Sequence, residues 1–337
     1  MHRVIAGGTG LIGRRLVDQW LKQNHTITII GRSQQHIQNV FGSKVLAVTW
    51  DKLTSEALKS TEVIVNLTGE NVGGASWSQK RKHEIVNSRV GSTKKIVSIL
   101  SEITENPPRL FNASAIGVYG LQTAESAVLP PAFDEDANID WDHPKDFMSL
   151  VGRRWEKAAD PAIQQGINVV FLRFGVVLSM AGGALPELIK PYKYYLGGTI
   201  GTGFQPISWV VIDDVVRAID FLLSKPDASG PFNIVAPGAV SQAVFARILG
   251  SNLNSTSFMR TPAFLLKMIF GEMAEELILK GQNVYPKRLL EMGFKFAYPE
   301  LESALNHVLV REASSGGKMK PAASWLSQLM DKFKKKR

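Results

Sequence analysis

Val4-Ile5-Ala6 runs directly into Gly7-Gly8-Thr9-Gly10-Leu11-Ile12-Gly13. From Leu11 onward the apolar residues Leu11, Ile12, Leu16, Val17, Trp20 and Leu21 recur at helical spacing. A short apolar strand, a glycine turn and an amphipathic helix constrain this chain more than any other segment does. The glycines Gly7, Gly10 and Gly13 follow G-x-x-G-x-x-G. A pyrophosphate needs backbone N–H groups at a helix N-terminus and no side chain in the way, and glycines at the turn, the closest approach and the helix–strand contact provide that. Gly7, Gly10, Leu11, Ile12 and Gly13 are therefore candidate dinucleotide-binding residues. The alternative is a tight turn without a ligand.

The rest of the first 115 residues supports the first reading. Thr26 to Ile30, Val45 to Val48, Val63 to Leu67 and Leu110 to Ser114 read as further strands. A long helical stretch from about Ser78 to Leu100 separates the last two. Strands apolar on both faces, alternating with helices, imply a parallel sheet covered on both sides. The fold class expected is α/β, a doubly wound parallel sheet of the Rossmann type with a small, mostly helical C-terminal domain. Residues 121–147 read as a surface excursion, Val151 to Gln165 as a helix and Val169 to Leu172 as a sixth strand. Gly182-Gly183 and Gly197-Gly198-Thr199-Ile200-Gly201-Thr202-Gly203 then punctuate a loop-rich region suited to a substrate pocket. The division expected is 1–240 for the dinucleotide-binding domain with its substrate-side loops, 241–309 for the small domain and 310–337 for a basic tail.

The end of the second strand bears on the choice of dinucleotide. An NAD site usually places an acidic residue there to hold the ribose 2′-hydroxyl. This chain has Gly31-Arg32-Ser33 instead. A guanidinium pairs well with a 2′-phosphate, so Gly31 and Arg32 point to NADP(H), with Arg14 placed to assist. The alternative for Arg32 is a solvated strand-end charge. Ligands of open α/β sheets sit outside the carboxyl ends of the strands. That makes Asn66, Leu67 and Gly69, at the end of the fourth strand, candidates for lining the cofactor. Arg89 in the next helix could reach a phosphate or simply be exposed.

Ser114 and Tyr119, in Ser114-Ala115-Ile116-Gly117-Val118-Tyr119-Gly120, are the candidate catalytic pair. A serine hydroxyl could polarise a carbonyl, and a tyrosine of lowered pKa could pass a proton. Tyr119 would need a cation, for which Arg173, placed after the sixth strand and also a candidate cofactor-binding residue, is a candidate. The alternative for Tyr119 is a half-buried ring packed beside the cofactor. His83 and His143 have no visible partner, and no H-E-x-x-H or other paired ligand spacing occurs, so no metal is expected.

The glycine motif, Asn66-Leu67-Thr68-Gly69, Ser114 to Gly120, Leu172-Arg173-Phe174-Gly175 and Ser208 to Val215 resemble an extended short-chain dehydrogenase/reductase. More narrowly, the chain is similar to the atypical YfcH-like epimerase family. Asn87-Ser88-Arg89, Gly182 to Leu185, Gly197-Gly198, Gly271 to Ala274, Leu279 to Pro286 and Gly293 to Phe296 with Tyr298-Pro299 carry that likeness, over about residues 1–309. The resemblance implies a Rossmann fold and NADP(H) binding, and a small-molecule substrate such as a nucleotide sugar, without identifying it. It also implies dimerisation through two helices, here Ser78 to Leu100 and Val151 to Gln165. Active members use Tyr-x-x-x-Lys, with a Glu four residues beyond the Lys. None of the six tyrosines here has Lys four residues later. Aligning that Glu to Glu156 puts Met148 and Gly152 at the Tyr and Lys positions. The function expected is an NADP(H)-dependent oxidoreductase or epimerase; the alternative is an NADP(H)-binding regulatory protein without turnover.

Composition narrows the remaining classes. The chain has no cysteine, which excludes disulfides and thiolate chemistry. No signal-peptide pattern opens it and no run of 18 apolar residues occurs, so a cytoplasmic protein without a transmembrane segment is expected. The net charge of +9 gathers at the end: residues 311–337 carry eight Lys/Arg against Glu312 and Asp331, leaving the body near neutral. A nucleic-acid partner is not expected. The tail, residues 318–337, places Trp325, Leu329 and Phe333 on one helical face. That suits a weak contact with an anionic membrane surface or a partner groove, or a solvated helical end.

Overall fold

The computed structural model describes residues 1–255 and 259–315, with side chains through residue 310. The tail expectation for residues 318–337 lies outside the described residues.

The strands form on short, mostly apolar runs rich in Val, Ile and Phe. β1 (His2–Ala6), β2 (Thr26–Gly31), β3 (Leu46–Thr49), β4 (Thr61–Asn66), β5 (Arg109–Ala115), β6 (Val169–Phe174) and β11 (Gly230–Ile234) make one seven-stranded sheet. Its order is β11-β6-β5-β4-β1-β2-β3, and every neighbouring pair is parallel. The order reverses between β1 and β4, the switch point where ligands of such sheets bind.

One face of the sheet is covered by α1 (Leu11–Lys22) and α7 (Ile212–Leu223), which bring Leu16, Val17, Trp20, Val215 and Ile219 onto Ile5, Val65 and Phe111. The other is covered by α3 (Gln79–Leu100), whose Ile96, Val97 and Leu100 meet Val4, Ile64 and Leu110. Burial on both faces explains why the central strands carry no polar alternation.

The helix expected over 151–165 starts earlier and is broken. α4 spans Phe147–Lys157 because the Asp146 carboxylate accepts from the Ser149 N–H at 2.7 Å, closing a capping box. A separate short helix, α5 (Asp160–Gln164), opens with Pro161 in its first turn, where the missing N–H costs nothing. Arg173, expected after the sixth strand, lies inside β6. The excursion at 121–147 is pinned: Phe133 exchanges backbone hydrogen bonds with Asn283 and Tyr285, and Gln122 donates to Gly281.

Beyond β6 the chain leaves the main sheet. β7 (Val176–Leu178) pairs with β10 (Trp209–Val211), β8 (Gly198–Ile200) with β13 (Met259–Thr261), and β9 (Pro206–Ile207) with β12 (Val240–Ser241). α6 (Ala184–Ile189), α8 (Gln242–Asn252) and α12 (Leu301–Ser315) share one core with β7, β9, β10 and β12, built from Leu178, Leu185, Trp209, Phe245, Leu249 and Leu305. That core therefore draws on segments from both sides of residue 240. α9 (Ala263–Phe270), α10 (Glu272–Ala274) and the π-turn Glu275–Leu279 form a separate apolar cluster reaching Trp77. Among the described residues no helix is long and apolar enough to cross a membrane.

Candidate functional site

The glycine loop joins β1 to α1 with no room for side chains. Gly7 has φ of +79°, and a Cβ there would lie 2.9 Å from the Leu67 backbone. A Cβ on Gly13 would lie 2.6 Å from Gly8 Cα, so helix and loop touch through this residue. Gly10 is the N-cap of α1, makes no side-chain cap, and no acidic residue occupies the first turn. The first-turn N–H groups of Leu11, Ile12 and Gly13 therefore have no side-chain acceptor of their own, the condition under which a helix start takes an anion. Leu11 also supports the opposite wall: a Cβ on Gly183, the N-cap of α6, would come within 3.1 Å of it.

The end of β4 is held against this loop by a buried polar network. Register sets Ala6, Asn66 and Asn112 side by side across β1, β4 and β5. Asn66 donates to Asn112 Oδ1 at 2.7 Å and to Thr93 Oγ1 at 3.1 Å. Its own oxygen accepts from the Thr68 N–H and hydroxyl. Asn66 thus shapes Leu67 to Gly69 from beneath. Arg89 sits behind Gly69, where its guanidinium would be 3.0 Å from an added Cβ. It donates to the Ile85 and Glu70 carbonyls at 2.9 and 3.0 Å and stacks 5.0 Å above Trp155. Burial lowers its pKa to about 10. Arg89 holds the loop after β4.

Gly31 closes β2 with Ile37 packed where its Cβ would be. Arg32 follows with its side chain 88% exposed and Nη1 3.7 Å from Glu70 Oε1. Arg14 turns back on the loop, its Nε donating to the Thr9 carbonyl at 2.8 Å.

At the ends of β5, β6 and β11 register again lines up three polar residues, Ser114, Arg173 and Asn233. Here they are consumed by one another. Ser114 Oγ donates to Glu156 Oε1 at 2.6 Å. Arg173 grips Glu156 with Nε and Nη2, both at 2.8 Å, and donates to the Tyr119 hydroxyl from Nη1 at 2.9 Å. Tyr119 in turn donates to Asn233 Oδ1 at 2.8 Å and stacks on Phe133. Glu135 accepts from the Asn233 N–H, and burial pushes its carboxyl pKa up. Burial also raises the Tyr119 pKa to about 12, although Arg173 opposes it. Burial by itself would lower the Arg173 pKa, but the bonds to Glu156 outweigh it and the net shift is upward. A proton carrier at neutral pH needs a lowered phenol pKa, the reverse of what Tyr119 has. The site brings Ser114, Tyr119 and Arg173 together, and closes them off.

Comparison with known proteins bears on the same surface. Residues 3–235 match the model of the NAD dependent epimerase/dehydratase family, and residues 261–308 match a domain of unknown function, DUF1731. The chain is 33% identical over 309 residues to the epimerase family protein YfhF of Bacillus subtilis, covering 92% of this chain and 98% of that one. It is 35% identical to the epimerase family protein SH2119 of Staphylococcus haemolyticus, covering 91% and 98%. The chain belongs to the NAD-dependent epimerase/dehydratase family. Among solved structures it is similar to the human epimerase family protein SDR39U1 crystallised with NADPH. That likeness has a TM-score of 0.79 and 29% identity, over 91% of this chain and 99% of that one.

At the positions that the resemblance aligned with Tyr-x-x-x-Lys, Met148 and Gly152 pack closely on the turn after β5. A Cβ on Gly152 would lie 3.0 Å from the Val118 backbone, so α4 rests directly on the turn Ile116–Tyr119. Met148 packs likewise on Gly117. The start of α4 is gripped from the C-terminal region, where Glu276 accepts from the Phe147 and Met148 N–H groups at 3.0 and 2.9 Å. Sequence reasoning missed Glu70, Asn233, Glu135 and Glu276 as members of the site. None sits in a motif, and each gains its partner only by long-range folding. Among the described residues no cluster of three or more His, Asp or Glu is placed to hold a metal.

Proposed function

We propose that this chain is an NADP(H)-dependent oxidoreductase or epimerase acting on a small molecule, with nucleotide sugars the first class to try. The uncapped start of α1, facing a loop that admits no side chain at Gly7 or Gly13, is the observation that carries it. The human relative's NADPH and the exposed Arg32 at the end of β2 favour the phosphorylated dinucleotide. In this reading Leu11, Ile12 and Gly13 donate to the pyrophosphate, Gly7, Gly10 and Gly69 leave room for it, and Arg32 meets the 2′-phosphate. Asn66, Leu67 and Arg89 hold the wall beside it. When bound, the nicotinamide supplies or accepts hydride. Ser114, Tyr119 and Arg173 are the floor under that end of the sheet, and proton transfer falls to substrate groups or solvent.

Titration with NADPH and NADH tests the cofactor half: Arg32→Ala should cost NADPH roughly tenfold in affinity, as befits a charge-assisted contact, and leave NADH unchanged. Equal affinities in the parent chain, unchanged by the substitution, would end this reading. Oxidation of bound NADPH by members of a panel of carbonyl compounds and nucleotide sugars tests the reaction half. The absence of Tyr-x-x-x-Lys favours a second reading, a cofactor-occupied regulatory protein. Full retention of NADPH absorbance across the panel, together with no epimerised product from nucleotide sugars incubated with the NADP+-loaded chain, would select it.

A further inference from the structure

β4 and β2 flank β1, and Glu70 and Arg32 lie in the segments that follow those two strands, to either side of the strand that leads into the glycine loop. Their side chains form an ion pair, 3.7 Å between Nη1 and Oε1. The two partners are held very differently. Glu70 is fixed by its N–H donating to Ser88 Oγ at 3.0 Å, by its carbonyl accepting from Arg89 at 3.0 Å, and by Oε2 facing Arg81 Nη1 at 3.3 Å. Arg32 is exposed along its length, and among the described residues its one ion pair is with Glu70.

We infer that Glu70 is a specificity-determining residue: its anchored carboxylate competes with the cofactor's 2′-phosphate for Arg32. The inference rests on the reading that Arg32 receives that phosphate. A phosphate dianion draws the mobile guanidinium away from a fixed carboxylate, because an exposed ion pair is weak and easily exchanged. A dinucleotide with a free 2′-hydroxyl has no such pull and leaves the strap closed. Glu70 therefore taxes NADPH and spares NADH, and the chain discriminates between them less than Arg32 alone would allow.

Affinities of the full chain for NADPH and NADH at low ionic strength test this. Glu70→Gln keeps the size of the side chain and removes its charge. It should tighten NADPH by about three- to tenfold, leave NADH unchanged, and lose most of the gain at high salt. In an Arg32→Ala background the gain should vanish, since the competition acts through Arg32. An unchanged or weaker NADPH affinity in Glu70→Gln overturns the inference. So does a gain that survives in full without Arg32, or an equal change for both dinucleotides, which would report a disturbed loop. The two claims separate cleanly. If Arg32→Ala does not weaken NADPH, the underlying reading fails; if it does and Glu70→Gln brings no gain, only the competition fails.

Discussion

At the start of α1 the backbone N–H groups of Leu11 and Ile12 have no side chain capping them, and both residues are partly exposed. At the ends of β5, β6 and β11 the polar groups are side chains, and Ser114, Glu156, Arg173, Tyr119 and Asn233 satisfy one another. Both places lie along the same edge of one sheet. The first leaves hydrogen-bonding capacity for a ligand, and the second uses its capacity internally. Unmet donors at a helix start cost little while water reaches them, whereas an unmet charge beneath the sheet would be expensive. That difference leaves free donors at one place and a closed network at the other, and it underlies the proposed division between cofactor site and floor.

Substitutions in the two regions should separate accordingly. Glu156→Ala strands the Arg173 guanidinium, which is 2% exposed, and should cost about 3–5 kcal/mol of stability by urea unfolding. A loss as small as an exposed residue's would contradict the floor. Gly13→Ala drives a Cβ into the Gly8 backbone and should cost about 2–3 kcal/mol, as overpacking does. Its distinguishing mark is NADPH binding, which should fall with it, while a folded Glu156→Gln retains the cofactor. Retention of NADPH by Gly13→Ala would mean the loop is not the phosphate site. Tyr119→Phe should be mildest, about 1–2 kcal/mol, for two partners left unpaired. Any NADPH oxidation found should keep its rate and pH profile in this variant. A shifted profile would restore Tyr119 to proton transfer.

Much of the sheet was readable because its strands are apolar on both faces, and that pattern has few competing interpretations. The helix at 151–165 was misplaced for a local reason. Asp146 and Ser149 form a cap four residues before the apolar spacing becomes evident, and Pro161 divides what the spacing joins. At the site, Gly7, Gly10 and Gly13 were legible because their requirement is local. The sequence offers Arg173 as a cation for Tyr119, and its guanidinium does meet that hydroxyl, while burial, which no local pattern reveals, raises the phenol pKa. Glu276 left no trace in the pattern, since its partners lie more than a hundred residues away.

The sequence by itself determined the glycine turn, the parallel α/β order, the absence of Tyr-x-x-x-Lys and the arginine at the end of β2. Each is a matter of residue type at fixed local spacing, where backbone sterics and the period of apolar side chains decide. Tertiary structure alone decided that Gly152 lies on the Val118 backbone, that Ser114 and Tyr119 spend their hydroxyls on Glu156 and Asn233, and that Arg32 reaches across β1 to Glu70. Those outcomes depend on strand register and on burial. Both are set by contacts between distant segments, and they govern whether a polar side chain is left for chemistry or used in holding the fold.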